Sequence, residues 1–319
     1  MKKSSLLFGF FATFTLAAQS QNNPSVNTNS SDSIEKPMDE VVVIGYATAK
    51  KKDLTGAMSS IKGSELAAQP VLTATQALQS KMAGVQITNS GAPGSSPNVR
   101  IRGTGSVIGG AEPLYVVDGV ITDDIRNINT ADILSIDVLK DASSTAIYGV
   151  RAANGVILIT TKRGGSGKPK LSYDGYAGVK MMANKIAMAR PGTFSNYSNE
   201  AAGTNAILKS DINGETDWFE TLTRPGNMNN HNLSMSGGSE STSYLFSVNY
   251  FNENGILKDN NYERVSIRSN NEYRISDRLK FGNNISLSRW NSNNKPFSLF
   301  TDAYNAAPIY KAKNEDGTY

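Results

Sequence analysis

The sequence contains no cysteine and a single histidine, His231, among its 319 residues. Without cysteine there can be no disulfide, thiolate nucleophile, iron–sulfur cluster or thiolate-bound zinc. With one imidazole, a metal site built from several histidines is excluded, and a serine–histidine relay would have to run through His231. Because no nucleophile, base and metal ligands converge in the sequence, we expect neither an enzyme nor a metal or cofactor site.

An excess of charge of one sign is also missing. The 32 basic and 28 acidic residues leave a formal net charge of +4, which is too balanced to predict binding to nucleic acid. Beyond the N-terminus there is no run of 18 consecutive apolar residues, so the sequence predicts no transmembrane helix.

The N-terminus has the pattern of a signal peptide. Lys2 and Lys3 precede an apolar run from Leu6 to Ala18, and Ala18 and Ser20 supply the small residues of a signal-peptidase site. We therefore predict that residues 1–20 direct export. Residues 21–38 are rich in Asn, Ser and Thr, and so little apolar surface predicts a flexible linker.

An extended apolar segment follows the linker. Two acidic residues precede four β-branched residues, which favour an extended backbone. The segment consists of Asp39, Glu40, Val41, Val42, Val43 and Ile44. A tethered segment of this kind could add a strand to the sheet edge of another protein, or it could be an internal strand of the domain that follows; the residues alone favour neither.

Residues 47–165 predict one compact domain that mixes helices and strands. Short β-rich segments and helical stretches alternate there and are broken by Gly and Pro. Asp118-Gly119 lies between two apolar runs, which predicts a hairpin, and the run 156–161 predicts a buried strand. Arg100 and Arg102 alternate with apolar residues, so they share one strand face that is either solvated or in contact with another part of the protein.

Residues 166–319 show the strongest period-two alternation. One example has an aromatic and β-branched face and a second face that carries polar residues, with Tyr244, Phe246, Val248 and Tyr250 on the first and Leu245, Ser247 and Asn249 on the second. The pattern predicts about five antiparallel strands. They fit a barrel wall with lipid outside or a soluble sheet with one solvated face, and the alternation does not distinguish the two. Because a small barrel needs about eight strands, we expect the chain to be a fragment or to pair with another protein.

Four stretches of the sequence stand out as motifs: DEVVVIGY at 39–46, VRIRG at 99–103, LYVVDGV at 114–120 and DVLKDASSTAIYGVRAANGVILITTKRG at 137–164. Together they resemble the SusC/RagA family of TonB-linked outer-membrane proteins. The last stretch is long and specific, and the similarity extends over nearly all of residues 39–287.

The resemblance implies an α+β plug domain followed by antiparallel β-strands of an incomplete transmembrane β-barrel in the outer membrane. Residues 39–46 would be a TonB-box-like segment, with Asp39, Glu40, Val41, Val42, Val43 and Ile44 contacting TonB. Residues 47–165 would be the plug, and residues 166–319 the first barrel strands. Arg100 and Arg102 would contact the barrel interior.

The implied function is energised import of a nutrient such as an oligosaccharide or a peptide through a plugged barrel. The implied partners are TonB with its inner-membrane energising complex, a SusD-like surface lipoprotein, outer-membrane lipid and the nutrient itself. The alternative is a truncated gene product that acts as a periplasmic plug-like binding module without transport. The sequence identifies neither the ligand nor the residues that bind it.

Overall fold

The computed structural model describes residues 41–44, 47–50, 58–67, 73–103, 110–207, 211–296, 298–314 and 316–318. The predicted signal peptide and linker, together with Asp39 and Glu40, lie outside the described residues. Strand β1 (Val41–Ile44) pairs in antiparallel fashion with β2 (Ala47–Lys50), with Val42 opposite Ala49. These two strands form a sheet of their own.

A mixed five-stranded sheet organises what we call the plug region, residues 58–161. Its strand order is β3-β8-β9-β6-β7, in which β6 and β9 are parallel and the other neighbours are antiparallel. Strands β4 and β5 form a separate antiparallel pair. The strands are β3 (Met58–Lys62), β4 (Val85–Thr88), β5 (Asn98–Ile101), β6 (Leu114–Val117), β7 (Val120–Thr122), β8 (Ile133–Leu139) and β9 (Val156–Thr161).

The core of the plug region lies on both faces of this sheet. Ile157 and Ile159 of β9 pack on one side with Leu66 and Ile136, whereas Leu158 packs on the other with residues of β6. A strand covered on both faces has apolar residues at consecutive positions, which explains the uninterrupted run that predicted it. The described part of the plug region also contains three short α-helices, α1 (Gly63–Ala67), α2 (Ala74–Ala77) and α3 (Ala142–Thr145).

The predicted hairpin at Asp118-Gly119 is confirmed. It joins β6 to β7, and Asp118 and Gly119 have φ angles of 49° and 89°. Two positive φ angles in a two-residue loop match the twist of the strands they join, and Asp-Gly is a preferred sequence for such a loop. The turn places the Asp118 side chain at the edge of the plug region.

A second five-stranded sheet, which we call the wall sheet, follows the plug region. Its strands pair consecutively and antiparallel. They are β10 (Gly167–Lys180), β11 (Gly226–Gly238), β12 (Thr242–Asn254), β13 (Asn261–Ser276) and β14 (Leu279–Asn293). Among the described residues β10 and β14 each have one neighbouring strand, so this part of the chain forms an open sheet.

The connections of the wall sheet differ at its two ends. At one end the strands are joined by the short turns 239–241 and 277–278; at the other they are joined by residues 181–225 and 255–260. The long connections, including the segment after β14, carry helices α4 (Pro191–Ala202), α5 (Trp218–Leu222) and α6 (Ser298–Asn305). None of the helices in the described ranges has the length and hydropathy needed to cross a membrane.

His231 corrects one expectation from the sequence. The Asn-rich stretch around it predicts a connection before a strand, but the structure places His231 inside β11. Pairing with β10 on one side and β12 on the other outweighs the low strand propensity of asparagine. His231 Nδ1 lies 2.6 Å from the hydroxyl of Tyr173 on the neighbouring strand.

Candidate functional site

The wall sheet has its polar face inside and its apolar face outside. Along β12, Ser247 and Asn249 are each 1% exposed, whereas Phe246 is 43% exposed. Along β13, Arg264 is only 1% exposed, whereas Ile267 is 40% exposed. A water-soluble sheet would bury the apolar face. The opposite arrangement favours the barrel-wall interpretation of the alternation, in which the apolar face meets lipid.

The buried polar face meets the plug region in three clusters, the first of them around Asp118. Its carboxylate accepts hydrogen bonds from Arg268 Nη2 at 3.0 Å and from Asn284 Nδ2 at 2.9 Å, both on the wall sheet. From within the plug region it accepts the Thr161 N–H at 2.9 Å and the Thr161 hydroxyl. The Arg268 and Asp118 side chains are 8% and 9% exposed, so this ion pair is largely removed from water.

The second cluster surrounds Arg264 of β13. Its guanidinium donates to the main-chain oxygen of Arg126 in the plug region and, at 3.3 Å, to Asn249 Oδ1. The same group lies 6.0 Å from the centre of the Phe251 ring, within the range of a cation–π contact. The Arg126 guanidinium in turn donates hydrogen bonds to the Asp124 carboxylate, and these lower the pKa of Asp124.

Asp132 completes this cluster from the plug side. Ser247 of the wall sheet donates its hydroxyl to Asp132 Oδ2 at 2.9 Å. Burial raises the pKa of the Asp132 carboxyl, and the Ser247 hydrogen bond and the charges of Arg268, Lys162 and Arg264 oppose that rise. A carboxyl that loses water needs such partners to stay ionised. The charges of Arg264 and Arg268 on the wall sheet therefore favour the ionised form of Asp132.

The third cluster lies towards the long connections. Glu253 of β12 is 2% exposed, forms an ion pair with Lys180 of β10 and accepts the Gly94 N–H at 3.4 Å. Gly94 has a φ of +67°, and a Cβ there would lie 2.1 Å from Cδ2 of Tyr262. Only glycine fits this close approach, so the plug loop at residues 90–95 is seated directly against the wall sheet.

The chain also comes close to itself where the plug region gives way to the wall sheet. A Cβ on Gly164 would lie 2.3 Å from the main-chain nitrogen of Tyr244. Residues 162–166 alone separate β9 from β10. The two regions are therefore joined by a short link that passes over the start of β12.

The two arginines that the resemblance placed against the barrel interior lie in different surroundings within the plug region. Arg102 pairs with Asp141 inside the plug region at 2.7 Å, and its side chain is 54% exposed. Arg100 is exposed on β5 beside a cleft of the plug region. Their contact with a barrel interior stays a prediction, as does contact of residues 39–44 with TonB.

Arg264 and Arg268 are the functional candidates that sequence reasoning missed. Each alternates with apolar residues on β13, which places both on the polar face of the strand. The signal that could have singled them out is charge on a face otherwise made of Ser and Asn. Arg268 bonds Asp118 and Arg264 bonds the main-chain oxygen of Arg126, and each partner is more than a hundred residues away in sequence. A local pattern carries no information about such pairing.

Comparison with known proteins gives consistent matches. Residues 50–156 match the family model described as TonB-dependent Receptor Plug Domain. The chain is 39% identical over 322 residues to TonB-dependent receptor P26 of Formosa agariphila, covering 96% of this chain and 32% of that protein. It is 37% identical to TonB-dependent receptor SusC of Bacteroides thetaiotaomicron, covering 81% of this chain and 27% of that protein.

Among solved structures, the RagAB peptide importer in its open-open state has a similar fold. The TM-score is 0.73 and the sequence identity 32%, over 81% of this chain and 33% of that chain. The chain therefore spans about a third or less of the length of these relatives.

Proposed function

The chain belongs to the SusC/RagA type of TonB-dependent receptors of the outer membrane, and from this premise we propose that the whole protein imports a nutrient such as an oligosaccharide or a peptide. In this proposal the plug region closes a barrel of which β10–β14 are part. TonB pulls on the segment around Val41–Ile44, the plug region shifts, and the nutrient passes.

The polar character of the plug–wall contact supports this proposal most directly. The plug region keeps its own apolar core on both faces of its sheet, and it meets the wall through Arg268, Asp118, Asp132 and Ser247. Hydrogen bonds broken by displacement can be replaced by water at a net cost of about 1 kcal/mol each. A plug region held this way can move without exposing its core.

Strand β1 is suited to be the pulling handle. It precedes the plug region, and among the described residues it pairs with β2 alone. A strand with a free edge can accept a strand from another protein, and several main-chain hydrogen bonds then carry the load together. The outer membrane holds no ATP, so the work has to be delivered through such a contact.

A SusD-like surface lipoprotein is the partner we propose at the end of the long connections. RagAB, a similar solved structure, is described as a peptide importer. In this chain residues 181–225 and 255–260 extend from one end of the wall sheet, as the longer extracellular loops of outer-membrane barrels do. A second protein could cover the entrance there.

The experiment compares two proline variants of the full-length gene in its host. A deletion strain is grown with either a tryptic digest of casein or a mixture of starch oligosaccharides as the sole nutrient, and we expect growth on one of them to fail. Val42→Pro should fail in the same way, because proline removes a donor from β1 and blocks strand pairing. Ala49→Pro, opposite Val42 in β2, should retain growth.

Immunoblots of outer-membrane fractions control for the amount of each variant. Wild-type growth of Val42→Pro at equal protein levels would refute the handle. Unimpaired growth of the deletion strain on both nutrients would refute import of either class.

A further inference from the structure

A cavity of about 390 Å³ lies where the plug loop meets the long connections of the wall sheet. The plug region contributes residues 90–93 to it, and the connections contribute the rest. Aromatic, aliphatic and thioether side chains dominate the connection side: Met181, Met182, Phe219, Ile256, Leu257, Phe300 and Tyr304. Its volume and mainly apolar lining fall within the range of small-ligand sites.

The connections that form this cavity support one another. The Phe219 ring on α5 lies 4.3 Å, centre to centre, from the Tyr304 ring on α6. Trp218 Nε1 donates to the Ala307 main-chain oxygen at 3.0 Å, and the Arg224 N–H donates to Ile256 at 2.8 Å. Three separate connections are therefore tied together, and the cavity is built by fixed contacts.

The plug side of the cavity is also fixed. Ser95 N–H donates to the Ala92 oxygen at 3.2 Å, which closes a turn around Pro93. Asn294, just after β14, donates its amide to the Pro93 oxygen at 3.2 Å. A group bound in the cavity would therefore touch the plug region and the wall connections at once.

None of the described residues that line this cavity is Asp, Glu, Lys, Arg or His. A second cavity of about 450 Å³ includes charged side chains in its lining, among them Asp118, Arg163, Arg268 and Glu272. A charged group in the apolar cavity would lose water without gaining an ion partner, and each hydroxyl of a sugar would need a hydrogen bond. In the described lining, the side chains with nitrogen or oxygen atoms are those of Ser90, Asn184, Asn260 and Tyr304.

We infer that this cavity binds an uncharged apolar side chain of a peptide ligand, aromatic or branched aliphatic, while the polar groups among the lining residues meet the peptide main chain. The inference rests on the proposed import function and narrows its ligand to peptides with such a side chain. Burial of one side chain of this size among aromatic and thioether groups supplies a large share of the affinity of a short peptide.

Filling the cavity tests the inference. Detergent-solubilised full-length protein is incubated with a tryptic digest of casein, washed, and the retained peptides are sequenced by mass spectrometry. We expect peptides with Phe, Leu, Ile, Tyr or Trp near one fixed position to be enriched over the input. Ala183→Trp places an indole in the cavity and should weaken their retention about tenfold or more.

The matched control is Ala187→Trp. This alanine is also exposed and lies in the same connection, but it lines a different cavity that includes Lys185, Arg190 and Asp217. It should retain peptides as the wild type does. Retention without side-chain enrichment, no retention of peptides at all, or equal loss in both variants would overturn the inference.

An incorrect cavity assignment can be distinguished from an incorrect import function. Energised uptake of an oligosaccharide that Ala183→Trp leaves unchanged would overturn the cavity assignment and keep the transporter. Selective peptide retention in a protein whose Val42→Pro variant grows normally would support the cavity assignment and overturn the pulling handle.

Discussion

The plug region and the wall sheet are both built on five strands, yet they sort their side chains in opposite directions. In the plug region Ile157 and Ile159 are at most 1% exposed, whereas Ile267 and Leu287 of the wall sheet are 40% and 64% exposed. The wall sheet buries Arg264 instead. The comparison teaches that alternation identifies a strand, while the direction in which the apolar face points identifies the medium around it.

The two regions are consequently stabilised by different forces. Apolar burial holds the plug region together. The wall sheet relies on its ladder of main-chain hydrogen bonds and on a nonpolar surrounding for its outer face. Their contact belongs to neither type, because it consists mainly of the Arg268–Asp118 ion pair and of hydrogen bonds.

Replacing one isoleucine of each region with lysine should give the largest difference in stability between the plug region and the wall sheet. Ile157→Lys buries a charge without a partner, and we expect a loss of more than about 4 kcal/mol and no folded plug region. Ile267→Lys on the outer face should cost about 2–4 kcal/mol in a lipid-facing strand, against about 0.5 kcal/mol at a water-exposed position.

Limited proteolysis measures folding of the plug region, and the heat-sensitive gel shift of folded outer-membrane protein measures the wall, with Ile267→Val as the neutral control. Normal folding of Ile267→Lys in a detergent-free preparation would break the comparison, because the outer face would then be facing water.

A substitution at the contact between the plug region and the wall sheet should give the next largest loss of stability. Arg268→Met leaves Asp118 buried with its Thr161 and Asn284 partners but without the opposite charge. Loss of one member of a buried pair costs about 3–5 kcal/mol. We expect the plug region to separate from the wall at lower urea concentration, seen as channel openings in a planar bilayer.

Combining Arg268→Met with Asp118→Asn should recover part of that loss, since no buried charge is then left unpaired. If the double variant opens as readily as the sum of the two single variants predicts, the two side chains are not coupled.

The smallest expected effect is a pH dependence carried by Asp132. Its pKa is raised by burial above the ordinary value of 3.8, so the folded state binds the proton more tightly than the unfolded state. The stabilisation of the folded state by protonation of Asp132 is complete below the ordinary pKa, and it is lost as the pH rises through the raised pKa. The urea midpoint for plug release should therefore fall across that interval.

Asp132→Asn should flatten this part of the pH profile and leave the rest unchanged. An unaltered profile in this variant would assign the dependence to another carboxyl, and the exposed Asp123 provides a control position in the same region.

Sequence alone predicts the elements here better than it predicts their contacts. The Asp118-Gly119 hairpin, the buried strand 156–161 and the five alternating strands follow from local rules of turn chemistry and period. The orientation of the wall sheet does not, because alternation is the same for lipid outside and for water outside. His231 shows a local error, in which asparagine propensity was outweighed by pairing on both sides of β11.

The site was harder to predict than the fold for a physical reason. Arg268 meets Asp118 across 150 positions of sequence, and only the packing of two sheets brings them together. Arg102, for which the family resemblance implied contact with the barrel interior, pairs locally with Asp141 and has a φ of 57°.

The short link at residues 162–166 limits how far the plug region can move away from the wall sheet. Five residues can extend to no more than about 18 Å, and at Gly164 they are pressed against the backbone of Tyr244. The plug region is thus tethered to the wall sheet on one side. In the proposed transport its displacement would be smallest near residue 164 and largest on the opposite side, where a passage would open first.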